Sequence, residues 1–221
     1  VNNKANTSSL FGAEMSFAHY MTGLNSETQY IIKSALPSAH VANDSQLDKS
    51  FHPTDGDMYT YTRARIDAAT DALAASGVIP YVASYMLFQG GADRTAARAP
   101  VFQENYQNVM DSLLAADLST GLSKNLNTTV FMPSLVNYTT PGDYAATIEA
   151  AYDALDAANA NITAVDVTYA AIGADGVHLN EKGMTDMGEQ YAEFFATITM
   201  PYDTTDSRLL NQDAAAGGST I

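Results

Sequence analysis

The sequence predicts an α/β fold in three layers, a parallel sheet with helices on both faces. Three observations predict it. Short β-prone apolar runs alternate with stretches of helical period, the pattern of βαβ units. The strand candidates are continuous apolar runs, as strands covered on both faces are. The chain has 221 residues and 46% apolar content, enough for one domain with a substantial core.

Residues 1–10 are polar and read as an arm. Residues 12–21 read as a helix, with Met15, Ala18 and Met21 on one face and Phe17 and Tyr20 beside it. Residues 29–35, with Tyr30-Ile31-Ile32 at their centre, read as a short strand ending before Pro37. Residues 36–58 have no period and read as a long loop, the kind that carries function or is disordered. A helix is expected over 61–76, with Gly77 as its stop.

Residues 78–88 are the most apolar strand candidate, and Gln89-Gly90-Gly91-Ala92-Asp93 ends it with loop chemistry. A helix over 101–118 places Tyr106, Val109, Met110, Leu113 and Leu114 inward. A strand over 128–133, a helix over 143–159 and a strand over 162–167 follow. The last helix, 181–197, buries Met184, Met187, Tyr191, Phe194 and Phe195, with Asn180 placed to cap it. One domain over 11–200 is expected, with a soft tail over 201–221.

The chain carries 10 basic and 25 acidic residues, a net charge of −15. Nucleic acid and anionic membrane surfaces would be repelled. The balance suits a secreted, envelope or virion protein, extracellular or surface-exposed. There is no cysteine, which excludes disulfides, thiolate nucleophiles and cysteine zinc sites. No apolar run approaches the roughly 20 residues of a membrane-spanning helix. His19, His40, His52 and His178 show no ligand-type spacing, so neither metal nor cofactor is expected. The chain opens on Val1 without a Met, and the natural protein is expected to extend upstream.

In sheets of this class, chemistry sits at the C-terminal strand ends. One such end is Asp175-Gly176-Val177-His178, just before the last helix. The spacing lets a carboxylate reach His178 Nδ1, fixing its tautomer and leaving Nε2 as a general base. The plainer reading of the same residues is an Asx-turn with a surface histidine.

Asp175-Gly176-Val177-His178-Leu179, followed by Asn180-x-x-Gly183-Met184 and Gly188-x-x-Tyr191-Ala192, resembles the last block of the SGNH (GDSL-like) hydrolases. Three more segments agree, in order, with the sialate O-acetylesterase and acetylxylan esterase branch. They are Gly12-Ala13-Glu14-Met15-Ser16-Phe17, Tyr30-Ile31-Ile32-Lys33, and Met86-Leu87-Phe88-Gln89-Gly90-Gly91-Ala92-Asp93. The resemblance covers residues 11–197. It implies a flavodoxin-like sheet and ester hydrolysis on an acetylated sugar or polysaccharide. His178 would be the base, Asp175 its orienter, and Gln89, Gly90 and Asp93 the pocket and oxyanion region.

The chain also departs from that pattern. The family's nucleophile block and first strand have no counterpart here. Leu36-Pro37-Ser38 stands where a glycine-rich oxyanion segment is expected, and proline has no N–H to donate. Gly91 replaces a glutamate, and Ala92 stands at the oxyanion-binding asparagine. Ser45, in Asn43-Asp44-Ser45-Gln46-Leu47, echoes the nucleophile motif only superficially, since it lies in the long loop. Ser16 reads as a helix-surface residue and Ser38 as a loop residue. The alternative is therefore a degenerate domain that binds carbohydrate or builds a surface assembly. Either an upstream fragment or a homo- or hetero-oligomeric neighbour would then complete the sheet.

Overall fold

The computed structural model describes residues 12–24, 30–78, 82–115, 129–133, 144–174 and 178–197, with backbone alone at residues 24 and 129–133. Five helices and three strands alternate within these residues. They are α1 Ala13–Leu24, α2 Asp57–Ala75, β1 Ser84–Met86, α3 Phe102–Ala115, β2 Thr129–Pro133, α4 Ala145–Ala158, β3 Ile162–Val165 and α5 Glu181–Thr197. The strands form one parallel sheet in the order β1-β2-β3, with Tyr85 opposite Val130 and Phe131 opposite Thr163. Parallel pairing forces a helical crossover between neighbours, and α3 and α4 supply it.

The strands divide their side chains by the two-residue period. Leu87, just beyond β1, and Ile162 of β3 join one buried cluster with Phe102, Tyr106, Val109 and Met110 of α3 and Ile148, Tyr152 and Leu155 of α4. Val165 and Val167 join the other, with Phe17 and Met21 of α1 and Met187, Tyr191 and Phe195 of α5. In the first cluster, Phe102, Tyr106 and Tyr152 meet as a tilted and edge-on trio with ring centroids 5.3 to 5.8 Å apart. Such pairs add to the apolar burial that holds α3 against α4.

The helix ends follow local chemistry. Gly77, at φ 85°, terminates α2, with its N–H on Ala74 O and the Val78 N–H on Leu73 O. That double closure is the Schellman motif, and the left-handed residue it needs favours glycine. α5 starts where Asn180 Oδ1 accepts the Gly183 N–H at 3.0 Å, as its sequence position suggests.

Five expectations are corrected. Residues 30–35 do not form a strand; they have no ladder partner among the described residues. A β-prone run becomes a strand only where a neighbour takes its backbone groups. This one is tied by side chains instead, through the Lys33–Glu14 ion pair and a 2.7 Å hydrogen bond between Ser34 Oγ and Thr62 Oγ1.

The buried face of α1 is Ala13, Phe17 and Met21, and Met15 is 60% exposed. The partner decides this: Phe17 meets Phe195 of α5 edge-on at 5.7 Å. Ser16 is not a free surface residue, because its Oγ donates to Ala13 O and to Met184 O across the helix pair. Finally, α2 begins at Asp57, earlier than the pattern suggests, and β1 is limited to three residues. The expected arm over 1–10 and tail over 201–221 lie outside the described residues.

Candidate active site

Parallel strands send all their C-terminal loops to one end of the sheet. Two loops leave from that end, Leu87 to Arg98 after β1 and, after β3, a loop described over Asp166–Ala174 and His178–Asn180. Nearly every candidate residue of the sequence lies on them.

His178 is exposed, two residues ahead of α5. Its loop is cinched on both sides. Gly173 N–H donates to His178 O at 2.7 Å, Asn180 N–H to Ala171 O at 3.0 Å, and Ile172 bridges Leu179 antiparallel. Asn180 Nδ2 also donates to Ile172 O, so one side chain holds both the loop and the helix start. The imidazole is thus presented to solvent from a backbone that is fixed. Asp175, with Gly176 and Val177, lies outside the described residues.

After β1, Gly90 has φ 115° and is buried against α4. A Cβ there would stand 2.7 Å from Tyr152 Oη and 3.0 Å from Ile148 Cγ2, which only glycine avoids. Tyr152 Oη donates to Gln89 O and pins the turn. Gln89 itself is half-buried.

Asp93 is fully buried, and both its oxygens accept the Val41 N–H, at 3.2 and 3.3 Å. Burial pushes its carboxyl up to about 6, against the pull of the Val41 N–H and the Arg98 guanidinium. Asp93 therefore fastens the 39–52 loop to this end of the sheet.

The 39–52 loop is closely braced. His40 N–H donates to Lys49 O and Phe51 N–H to His40 O, a parallel bridge, while Ser50 Oγ donates to Ala42 O at 2.7 Å. Arg98 Nε donates to Asp44 Oδ2 at 2.6 Å, Arg98 Nη2 to Gln46 Oε1 and Arg98 Nη1 to Ala92 O. Burial works to raise the Asp44 carboxyl, but the Gln46 N–H and the Arg98 guanidinium outweigh it and hold it low. Ser45 is exposed, between these two clamped residues, on an Asx-turn closed by Gln46 N–H to Asp44 Oδ1 at 2.8 Å.

Ser38 is exposed with φ 61°, a left-handed turn residue after Pro37. His19 is exposed, His40 and His52 are buried, and among the described residues no three His, Asp or Glu side chains are grouped to hold a metal. Two open grooves of about 380 and 460 Å³ share Pro100 and Gln103 along the α3–α4 flank, and no histidine lines them.

Sequence reasoning missed the Asp44–Arg98 clamp and the buried His40. The clamp joins residues far apart in the chain, and no spacing announces it. The one available signal is that Arg98 follows the Gln89–Asp93 turn in a chain with only 10 basic residues.

Among solved structures, a protein from Arabidopsis thaliana is similar with a TM-score of 0.63 and 17% identity, over 84% of this chain and 68% of that one. The native aryl esterase of M. smegmatis is similar with a TM-score of 0.59 and 16% identity, over 86% of this chain and 88% of that one. At such identity the likeness establishes a shared α/β fold. Among curated proteins none matches the chain in sequence. Residues 1–197 match the family described as SASA, carbohydrate esterase, sialic acid-specific acetylesterase, and with most of its length inside that match the chain belongs to this family of SGNH-like carbohydrate esterases.

Proposed function

We propose that this chain is the base-bearing part of a serine esterase that removes O-acetyl groups from a sugar or polysaccharide. One observation carries the reading: His178 is exposed on a cinched loop, at the same end of the sheet as the Gln89–Asp93 turn. Family membership supports the reaction class. His178 acts as the general base, Asp175 orients it, and Gln89 and Gly90 shape the pocket wall. An acidic surface with a net charge of −15 suits an extracellular or surface-exposed setting.

The reading includes a three-layer, flavodoxin-like sheet with one more strand than the described residues pair. Two features support that. β1 has a ladder partner on one side alone among the described residues. The β-prone run Tyr30-Ile31-Ile32 is 56%, 44% and 37% exposed, costly surface for an isolated segment of that composition. A strand paired with β1, from an upstream fragment or an oligomeric neighbour, would bring the serine.

A second reading is a degenerate domain with a carbohydrate-binding or structural role in a virion or cell-surface assembly. Asp93 favours it, since that carboxylate is committed to the Val41 N–H rather than open to a ligand. A fluorophosphonate probe and an acetyl-ester assay on natural material separate the two. Labelling of a serine, with turnover lost by about 10²–10⁴ in His178→Ala, supports the esterase. Silence in both assays overturns it in favour of the second reading.

A further inference from the structure

His40 has no role in the chemistry above, yet it is a fully buried titratable side chain at this end of the sheet. It is 0% exposed, and neither ring nitrogen makes a hydrogen bond of good geometry among the described residues, although the Ala42 backbone is close enough to favour its charged form. Its Nε2 lies 3.7 Å from Asp44 Oδ1, too far for a hydrogen bond and close enough for one after a small shift. The other Asp44 oxygen is already held by Arg98.

We propose that His40 is a proton-operated release for the 39–52 loop. A neutral imidazole is tolerated in this buried setting. An imidazolium is not, because burial penalises the charge and Arg98 is already the cation on Asp44. The added proton comes from solvent and stays on His40. The charged ring then competes with Arg98 for one carboxylate, or is hydrated by letting the loop lift from Arg98 and Asp93.

The charged groups facing His40 divide. Arg98, after the β1 turn, disfavours protonation; Asp44 in the loop and Asp48 in the Leu47–Lys49 helical turn favour it; burial and Arg98 dominate and hold the imidazole below its ordinary value. Since the closed state holds that value down, closure is complete at neutral pH and weakens as pH falls below the ordinary histidine range.

Asp93 opposes the release. Its carboxyl takes up a proton near 6 in the closed state and at an ordinary, lower pH once exposed, so acid favours closure through this group. Asp93→Asn removes that counterweight.

The test is backbone hydrogen exchange at Val41 and Phe51, whose N–H groups bond Asp93 and His40, with Val109 in α3 as the internal standard. Between about pH 7.5 and about pH 5.5, corrected for intrinsic exchange, protection at Val41 and Phe51 should fall by about two- to threefold in the wild type, because proton uptake on Asp93 offsets part of the roughly tenfold loss that one histidine can give over this range. It should rise in His40→Gln, where Asp93 alone responds, and fall further, by up to about tenfold, in Asp93→Asn. Unchanged protection in the wild type, or the same loss in His40→Gln, overturns the proposal. If His40→Gln does not fold, the wild-type His40 ring is titrated by NMR. A midpoint that coincides with the loss of protection supports the release, and titration of the ring without that loss overturns it.

Discussion

Asp93 and Val41 are joined across two loops, with one backbone N–H donated to both oxygens of a carboxylate that has no exposure to solvent. The carboxyl is pushed up to about 6, and burial is the largest cause. A carboxyl raised in the folded state favours folding when protonated. Its contribution is therefore greatest below the ordinary aspartate range and is lost as pH rises through about 6. The shift corresponds to about 3 kcal/mol at most. Urea unfolding at about pH 4.5 and about pH 7 should show this slope in the wild type, and Asp93→Asn should flatten it. Asp93→Ala leaves the Val41 N–H buried without its acceptor and should cost about 1–3 kcal/mol.

Gly90 gives the second prediction. Alanine there would hold φ 115° and set a Cβ 2.7 Å from Tyr152 Oη. Strain and clash together should cost about 2–4 kcal/mol. Thermal unfolding should show a melting point lower by about 5–10 °C for a chain of this size. Tyr152→Phe, which removes only the hydroxyl donated to Gln89 O, should lose about 1 kcal/mol.

The α1–α5 crossing gives the third. A Cβ at Gly188 would stand 2.3 Å from Ala13 O and 2.7 Å from the Phe17 nitrogen, both backbone atoms that cannot swing away. Gly188→Ala should therefore force the helices apart, with a loss of about 2–3 kcal/mol despite alanine's better helix propensity. Calorimetry against Gly23→Ala, where nothing lies within 4 Å, separates the two effects, and Gly23→Ala should be neutral or stabilising.

Asn180 links stability to the His178 loop. Asn180→Ala removes the cap on Gly183 and the bond to Ile172 O. It should cost about 1 kcal/mol and speed amide exchange at Gly173 and Asn180. Asn180→Asp keeps the cap acceptor and should recover most of the stability but not the bond to Ile172 O. Thermal melts and exchange rates on the two variants check this directly.

Much of the fold is legible without coordinates. α5, with Met187, Tyr191 and Phe195 inward and Asn180 at its start, follows from period and capping alone. So does the inward face of α3, and so does Gly77 as the stop of α2. These features depend on residues a few positions apart, and local spacing encodes them. For the site, His178 is legible because its block precedes a capped helix, and Gln89-Gly90 because glycine there is a local break.

Other features are set at long range. Tyr30-Ile31-Ile32 has strand composition but no ladder, because a strand is a property of a pair. The inward face of α1 is chosen by Phe195 and Gly188 of α5, which displace Met15 to the surface. By itself the sequence determines the helices, their caps, the parallel α/β class and the place of the imidazole, all matters of near neighbours. Tertiary structure alone decides that Asp93 is buried on Val41 and that Arg98 clamps Asp44 beside a buried His40. Those contacts bring together groups that have no spacing in common.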